Sequence, residues 1–347
     1  MAENPLYSPP FKITAKTERL IGEVCELVGR LSSSPDAERH LRLRRASRIR
    51  TVHGSLAIEG NTLTEKQMTA VIGGRRVIAP PREIREVQNA FATYEKLNQW
   101  NSRSEIDFLA AHRAVTSGLL DFPGKYRSGN VGVMGARELV HVAPPADRVP
   151  FLTGELFSWL NRSDHHPVVE SSVFHYELEF IHPFEDGNGR MGRLWQTLIL
   201  TEWNPVFSFL PVESIVHSRQ QEYYDALADS TTAANCSPFI EFMLAAILEA
   251  VKDFDYSAGQ VAGQVAGQVK KLLECLGNNP VSRREIMEIL GLKGRDNFEK
   301  LYLHPALDAG LIEMTLPEKP NSRLQKYRIT SAGRRLVAES QQTNFRQ

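Results

Sequence analysis

The segment His182-Pro183-Phe184-Glu185-Asp186-Gly187-Asn188-Gly189-Arg190-Met191-Gly192-Arg193 holds the densest chemistry in this 347-residue chain. Proline at 183 disfavours helix at His182, so the amphipathic helix predicted from Val168 stops there. A new apolar periodicity begins at Gly189 and runs through Leu194, Leu198 and Leu200. Between the two helices lies a short loop whose glycines let the backbone turn its amides inward as an anion nest. The second helix adds its N-terminal dipole and unpaired amides at the same point. Phosphate is the natural occupant.

The side chains agree with the backbone. Arg190 and Arg193, three apart, project from neighbouring positions of the new helix and suit two successive phosphates. Asp186 is a hard oxygen ligand beside the nest, fit for Mg²⁺ carried by a nucleotide. His182, at the loop entrance, has the chemistry of a general base at neutral pH.

HPFEDGNGRMGR resembles the signature of Fic-domain proteins, HPFx(D/E)GN(G/K)RxxR, without a mismatch. The resemblance implies AMP transfer from Mg-ATP to a Ser, Thr or Tyr hydroxyl of a protein, the chain itself included, with release of pyrophosphate. It casts His182 as base on the target hydroxyl and Asp186 as the Mg²⁺ ligand. Gly187, Asn188 and Gly189 become the anion hole, and Arg190 and Arg193 the partners of the β- and γ-phosphates. Phe184 is implied to anchor the nucleotide-binding loop in the core.

Working outward, Ser55-Leu56-Ala57-Ile58-Glu59-Gly60 resembles the family's inhibitory motif (S/T)xxxE(G/N). Its position ahead of the active loop implies the class with an amino-terminal inhibitory helix. Ser55 and Glu59 are four apart on one face, and Gly60 suits the helix end. The implied mechanism has Glu59 pair with Arg193 in place of the γ-phosphate. An alternative, also implied by relatives, makes Glu59 catalytic for removing AMP, alone or in a bifunctional enzyme. Phosphorylation is disfavoured, because kinase-like relatives carry Lys where this chain has Gly189, whereas phosphocholine transfer stays open.

Looser matches follow. Val131 to His141, preceded by Arg127, corresponds to the flap along which an extended target segment docks by strand addition. Tyr223-Tyr224 resembles the tyrosine pair beside the adenine pocket, while Thr231 stands where some relatives have Asn. His165-His166 reads as a solvated loop.

The rest of the pattern is helical. Apolar residues at three- and four-residue spacing predict helices over 17–31, 37–58, 64–72, 84–99, 104–119, 149–161, 168–181, 189–202, 219–228 and 238–252. Thr64 and Gln67 form a capping-box pair. Only Asn130 to Val142 alternates as a hairpin, with a turn about Gly135. Ala258 to Val269 reads AGQV three times, a Gly-rich linker of partly helical character at 255–269. Beyond it come three short helices, the middle one capped by Ser282 and Glu285, then extended runs at 311–316 and 325–330, the pattern of a winged helix. The fold expected is mainly α: a Fic helical core with a small β-hairpin flap and a C-terminal winged-helix (α+β) domain. Its expected divisions are a helical extension at 1–100, a catalytic core at 101–254, the linker, and the winged helix at 270–347.

Composition sets the outer bounds. There are 41 Lys plus Arg and 41 Asp plus Glu, which excludes a uniformly basic polyanion binder. The zero sum hides an uneven spread: residues 257–347 carry 14 Lys plus Arg against 9 Asp plus Glu, net +5, and the first 256 carry net −5. The basic tail motivates a reading from another class, a DNA-binding regulator, with a protein-docking or homo-oligomerising module as its counterpart. Cys25, Cys236 and Cys275 are far apart and lack metal-site spacing, which suits a reducing compartment. No stretch reaches the roughly 20 apolar residues of a bilayer span. The expectation is a soluble, cytoplasmic protein without a membrane partner.

Overall fold

The computed structural model describes residues 7–32, 37–134, 139–276, 280–308, 310–319, 322–331, 333, 334 and 337. These divide into two units, Met1–Asp255 and Tyr256–Gln347. The first begins with α1 (Ala15–Ser32), α2 (Ala37–Ile58), α3 (Glu65–Ile72), α4 (Pro81–Glu95) and α5 (Glu105–Val115). A hairpin of β1 (Gly132–Met134) and β2 (Leu139–Val142) follows. Then come α6 (Val149–Arg162), α7 (Pro167–Ile181), α8 (Asn188–Trp203), α9 (Val212–Ser218), α10 (Gln220–Thr232) and α11 (Ser237–Cys275).

The centre of this unit is the pair α7 and α8, packed along each other and buried on nearly every side. Such helices carry no polar face, so their polar side chains need internal partners. Ser172 donates to the Val168 carbonyl at 2.8 Å, His175 meets Gln196 at 2.8 Å and Glu170 pairs with Arg103 at 3.1 Å. Phe108, Phe157, Phe174 and Trp195 fill the space around them, largely edge to face. His166, read as part of a solvated loop, is instead the N-cap of α7: its Nδ1 accepts from the Val168 amide at 3.3 Å, and its ring lies against Trp203. Thr64 and Gln67 make both halves of the expected capping box.

The second unit packs the end of α11 with α12 (Arg283–Ile289), α13 (Arg295–Phe298) and α14 (His304–Asp308) against a three-stranded antiparallel sheet. The sheet order is β3 (Val281–Ser282), β5 (Lys326–Ile329), β4 (Ile312–Met314). Two strands match the extended runs read from sequence; two-residue β3 is too short to show an alternation. The third predicted helix is divided by a π turn at Glu299–Leu303, just before Pro305, which has no amide to give a regular α ladder. The AGQV repeat does not interrupt α11, although the periodicity suggested an end near Phe254. A four-residue repeat stays close enough to 3.6 for helix to propagate through its glycines. The proposed turn of the first hairpin, at 135–138, lies outside the described residues.

Glu177 on α7 is the titrating group of this core. Burial pushes its carboxyl up to about 7, opposed by the Tyr7 hydroxyl that donates to it at 2.6 Å. Since the folded chain holds that proton when the unfolded chain has lost it, this group's stabilising contribution is complete below pH 4.5 and falls away toward pH 7. Replacing Glu177 by Gln, which still accepts from Tyr7, is expected to flatten the pH dependence of the melting temperature across that window; an unchanged slope would refute the assignment.

Candidate functional site

His182 closes α7 in the left-handed conformation, with φ 50°. This is a costly geometry for a residue with a Cβ, and it persists only where surroundings over-determine it. Arg127 supplies much of that constraint. Its Nε donates to the His182 carbonyl at 2.7 Å, its amide donates to the Pro183 carbonyl at 2.9 Å, and its guanidinium also reaches the carbonyls of Gly129 and Pro144. One buried arginine thus ties the turn after α7 to both roots of the hairpin.

The loop is held from behind as well. Phe184 is buried and stacks on His112 at 3.6 Å between ring centroids. His112 Nδ1 accepts from the Gly124 amide, so its Nε2 carries the proton and donates to the Asp186 carbonyl at 3.0 Å. Burial pushes the His112 pKa down to about 4, keeping the ring neutral. Asn188 both accepts from the Phe184 amide and donates to its carbonyl, each at 2.9 Å. Gly187 then turns with φ 90° into α8.

These constraints frame a pocket of about 220 Å³ lined by His182, Asp186, Gly187, Asn188, Gly189, Arg193 and Glu59, with Tyr176, Tyr223, Tyr224, Leu227 and Thr231 at its apolar side. Phe184 and Arg190 stand behind the loop instead of in this wall: the first is core, and Arg190 is buried and bonded to Asp186 at 2.8 Å. Tyr223 lies at the pocket floor, nearly all buried, beside His175 and Glu179.

Arg193 is a deeply buried charge, 2% exposed. Its guanidinium donates to Ser55 Oγ at 3.2 Å, to the Ser55 carbonyl at 3.0 Å and to Glu59 Oε1 at 2.6 Å. Burial alone would lower the Arg193 pKa, yet Glu59, Tyr223 and Glu179 together raise it above the ordinary arginine value. Glu59 comes so near the nest that a Cβ on Gly189 would lie 2.3 Å from Glu59 Oε1. Asp186 is held below the usual carboxylate range: burial works against this, but Arg190 and Arg82 prevail. Arg82 and His112 carry no signal in the sequence, because the Asp186 contacts that give them a place in this site lie far along the chain.

Among the described residues no group of three or more His, Cys, Asp and Glu is arranged to hold a metal ion. Asp186, beside the loop glycines, is an oxygen donor that a cation carried on phosphate oxygens would meet there. Among the same residues no helix is long and apolar enough to cross a membrane.

Residues 102–200 match the Fic/DOC family, and residues 267–330 match the "Filamentation induced by cAMP protein Fic-like, C-terminal domain". A crystal structure of a Fic family protein from Desulfovibrio desulfuricans is 50% identical, covers 94% of this chain and 99% of its own, and superposes with a TM-score of 0.70. The chain belongs to the Fic family. Fic-1 from C. elegans (aa134–508) shares the fold, at 24% identity and a TM-score of 0.59 over 70% of this chain and 73% of that one. A "Protein adenylyltransferase Fic" from Nematostella vectensis is 30% identical over 247 residues, 67% of this chain and 55% of the relative. That from Aedes aegypti is 27% identical over 260 residues, 69% of this chain and 50% of the relative. The chain thus spans about half the length of these curated relatives.

Helix α2, which ends at Ile58 just before Glu59, is fixed by a close crossing with α9. A Cβ on Gly54 would stand 2.6 Å from the backbone carbonyl of Glu213, an atom that cannot rotate aside. Gly54→Ala is expected to lower stability by about 1–3 kcal/mol through overpacking, read from the denaturant midpoint. Gly22→Ala, on α1 with open space around it, should be neutral or slightly stabilising. Equal midpoints for the two variants would overturn the crossing argument.

Proposed function

We propose that this chain is a self-inhibited protein adenylyltransferase that moves AMP from Mg-ATP to a Ser, Thr or Tyr hydroxyl of a protein, itself included. The single observation carrying this reading is the Glu59–Arg193 ion pair set inside the pocket that also holds His182, Asp186 and the loop glycines. That arrangement is an anion site already filled by the chain's own anion.

In the working state the hydroxyl of the target attacks the α-phosphorus and pyrophosphate departs. His182 takes the hydroxyl proton; its Nδ1 makes no hydrogen bond among the described residues. The amides of the 187–189 turn and the N-terminus of α8 receive phosphate oxygens. Arg193, released from Glu59, neutralises the terminal phosphate, and Arg190, held behind the loop on Asp186, adds positive charge toward its neighbour from there. Mg²⁺, when bound with the nucleotide beside Asp186, would neutralise phosphate charge. The tyrosines Tyr223 and Tyr224, with Leu227, offer the apolar wall for the base. Catalysis of this kind rests on positioning and charge neutralisation, which a braced loop provides. The hairpin Gly132–Met134 with Leu139–Val142 is proposed to take the target segment as an added strand.

The second unit is proposed as a winged-helix docking module. Its sheet and helices suit that fold, but much of its basic surface is internally balanced. Arg283 and Arg295 both pair with Glu299, Arg284 with Glu288 and Arg328 with Glu313, which weakens the DNA-binding alternative.

Two variants test the enzyme reading. Glu59→Gly is expected to raise self-modification, detected as a mass gain of about 329 Da, the size of an AMP adduct. His182→Ala in that background should cut transfer by about 10²–10⁴-fold while nucleotide still binds. Transfer that survives loss of His182 would sink the base assignment. If Glu59→Gly instead slows loss of AMP from a premodified protein, the removal alternative replaces inhibition.

A further inference from the structure

Asp186 has both carboxylate oxygens taken. Arg190 Nη2 donates to Oδ1 at 2.8 Å, and Arg82 Nη2 donates to Oδ2 at 2.7 Å. The two arginines are not equivalent. Arg190 is 5% exposed and four residues along the same loop and helix, so it belongs to the site's own frame. Arg82 is 59% exposed and reaches in from the first turn of α4, outside the stretch that matches the Fic/DOC family.

The start of α4 is in turn stapled to the residues that follow Glu59. Asn61 Nδ2 donates to Glu86 Oε2 at 2.9 Å, and Glu86 Oε1 accepts from Arg82 Nε at 3.3 Å. Thr62 donates through both its amide and its hydroxyl to Glu83 Oε2, each at 2.8 Å. Glu59 and Arg82 are therefore delivered by one hydrogen-bonded assembly. The first sets an anion on the site's cation, and the second sets a cation on the site's anion.

We propose that Arg82 competes with the divalent cation for Asp186 and so determines the metal concentration at which nucleotide engages. The proposal rests on Asp186 being the metal-facing ligand. A carboxylate whose oxygens each accept from a guanidinium has its charge screened on both sides, so a cation approaching it is repelled by both donors and gains by displacing one. Arg82 is the donor that leaves: it is the exposed partner, and ion pairs at such exposure are weak enough for ligand to break. Arg82 also donates to Glu86, the carboxylate that accepts from Asn61, so its departure from Asp186 changes the support of the turn that follows Glu59.

The test is a Mn²⁺ titration followed by electron paramagnetic resonance, on the full chain carrying Glu59→Gly and saturated with a non-hydrolysable ATP analogue. Arg82→Ala is expected to tighten Mn²⁺ binding about three- to tenfold, with Arg82→Lys in between. Affinity within twofold of the Arg82 protein, or weaker binding, would overturn the competition. Asp186→Asn separates the two readings. If it abolishes the protein-dependent Mn²⁺ binding while Arg82→Ala changes nothing, only the Arg82 proposal fails; if binding survives Asp186→Asn, the assignment of Asp186 as metal ligand fails with it.

Discussion

The Arg193 guanidinium is 2% exposed, and a charge so far from water must always have a counter-charge. Within the described residues that role falls chiefly to Glu59, aided by two oxygens of Ser55. The organisation of the N-terminal helices follows from this requirement. Helix α2 has to approach α9 closely enough to exclude a Cβ at Gly54, and has to end so that residue 59 turns inward. Gly60, at φ 89°, provides that turn. An incoming phosphate and the Glu59 carboxylate answer the same need, so the two exclude one another by charge as well as by volume. A ligand can shift the position of α2 only by as much as it out-competes Glu59 for Arg193.

The other half of the site is braced by elements other than α2. His182 is strained, and the strain is held by Arg127 at its carbonyl, by Phe184 locked between His112 and Tyr126, and by the Asn188 side chain bridging the loop. These contacts come from α5, the segment before the hairpin, and α8 itself. Under the proposed inhibition the plug is supplied by one set of helices and most of the platform by another, with Arg82 on Asp186 as the link between them. Arg127 adds a mechanical link of its own, because its remaining bonds reach the roots of the hairpin on which a target segment would align.

Local patterns were legible in the sequence. The two helices around the 182–189 turn, the capping boxes at Thr64 and Ser282, the hairpin, and the Ser55–Glu59 spacing all follow from neighbours a few residues apart. What escaped depends on distance along the chain. Arg82 lies in an ordinary Pro-Arg-Glu helix start, His112 is a single histidine in an apolar helix, and β3 is two residues long. None of these has a local signature; each acquires its role from a partner over 40 residues away. His166 misled for the opposite reason, since a His-His pair before proline looks solvated until the helix it caps is in place. Charge counting had the same blind spot, because a net excess of +5 in the tail says nothing of which arginines already face a glutamate.

Glu179, another carboxylate of the pocket, bears on what would happen at Arg193 if the proposed plug withdrew. Burial pushes the Glu179 carboxyl upward, but His175, then His182 and Arg193, hold it below its ordinary value, so it is an anion in place. His175 is itself anchored to Gln196, and Tyr223 stands within reach of both. Glu179 is thus fixed by α7, α8 and α10, whereas Glu59 sits just past the end of a helix and is 34% exposed. Were Glu59 to withdraw, Glu179 and the buried Glu213 would remain near Arg193, too indirect to satisfy it and near enough to keep its charge from being wholly uncompensated. A guanidinium in that condition remains folded in place yet gains from any phosphate that reaches it, which is the electrostatic requirement for an anion site that is both switchable and preformed.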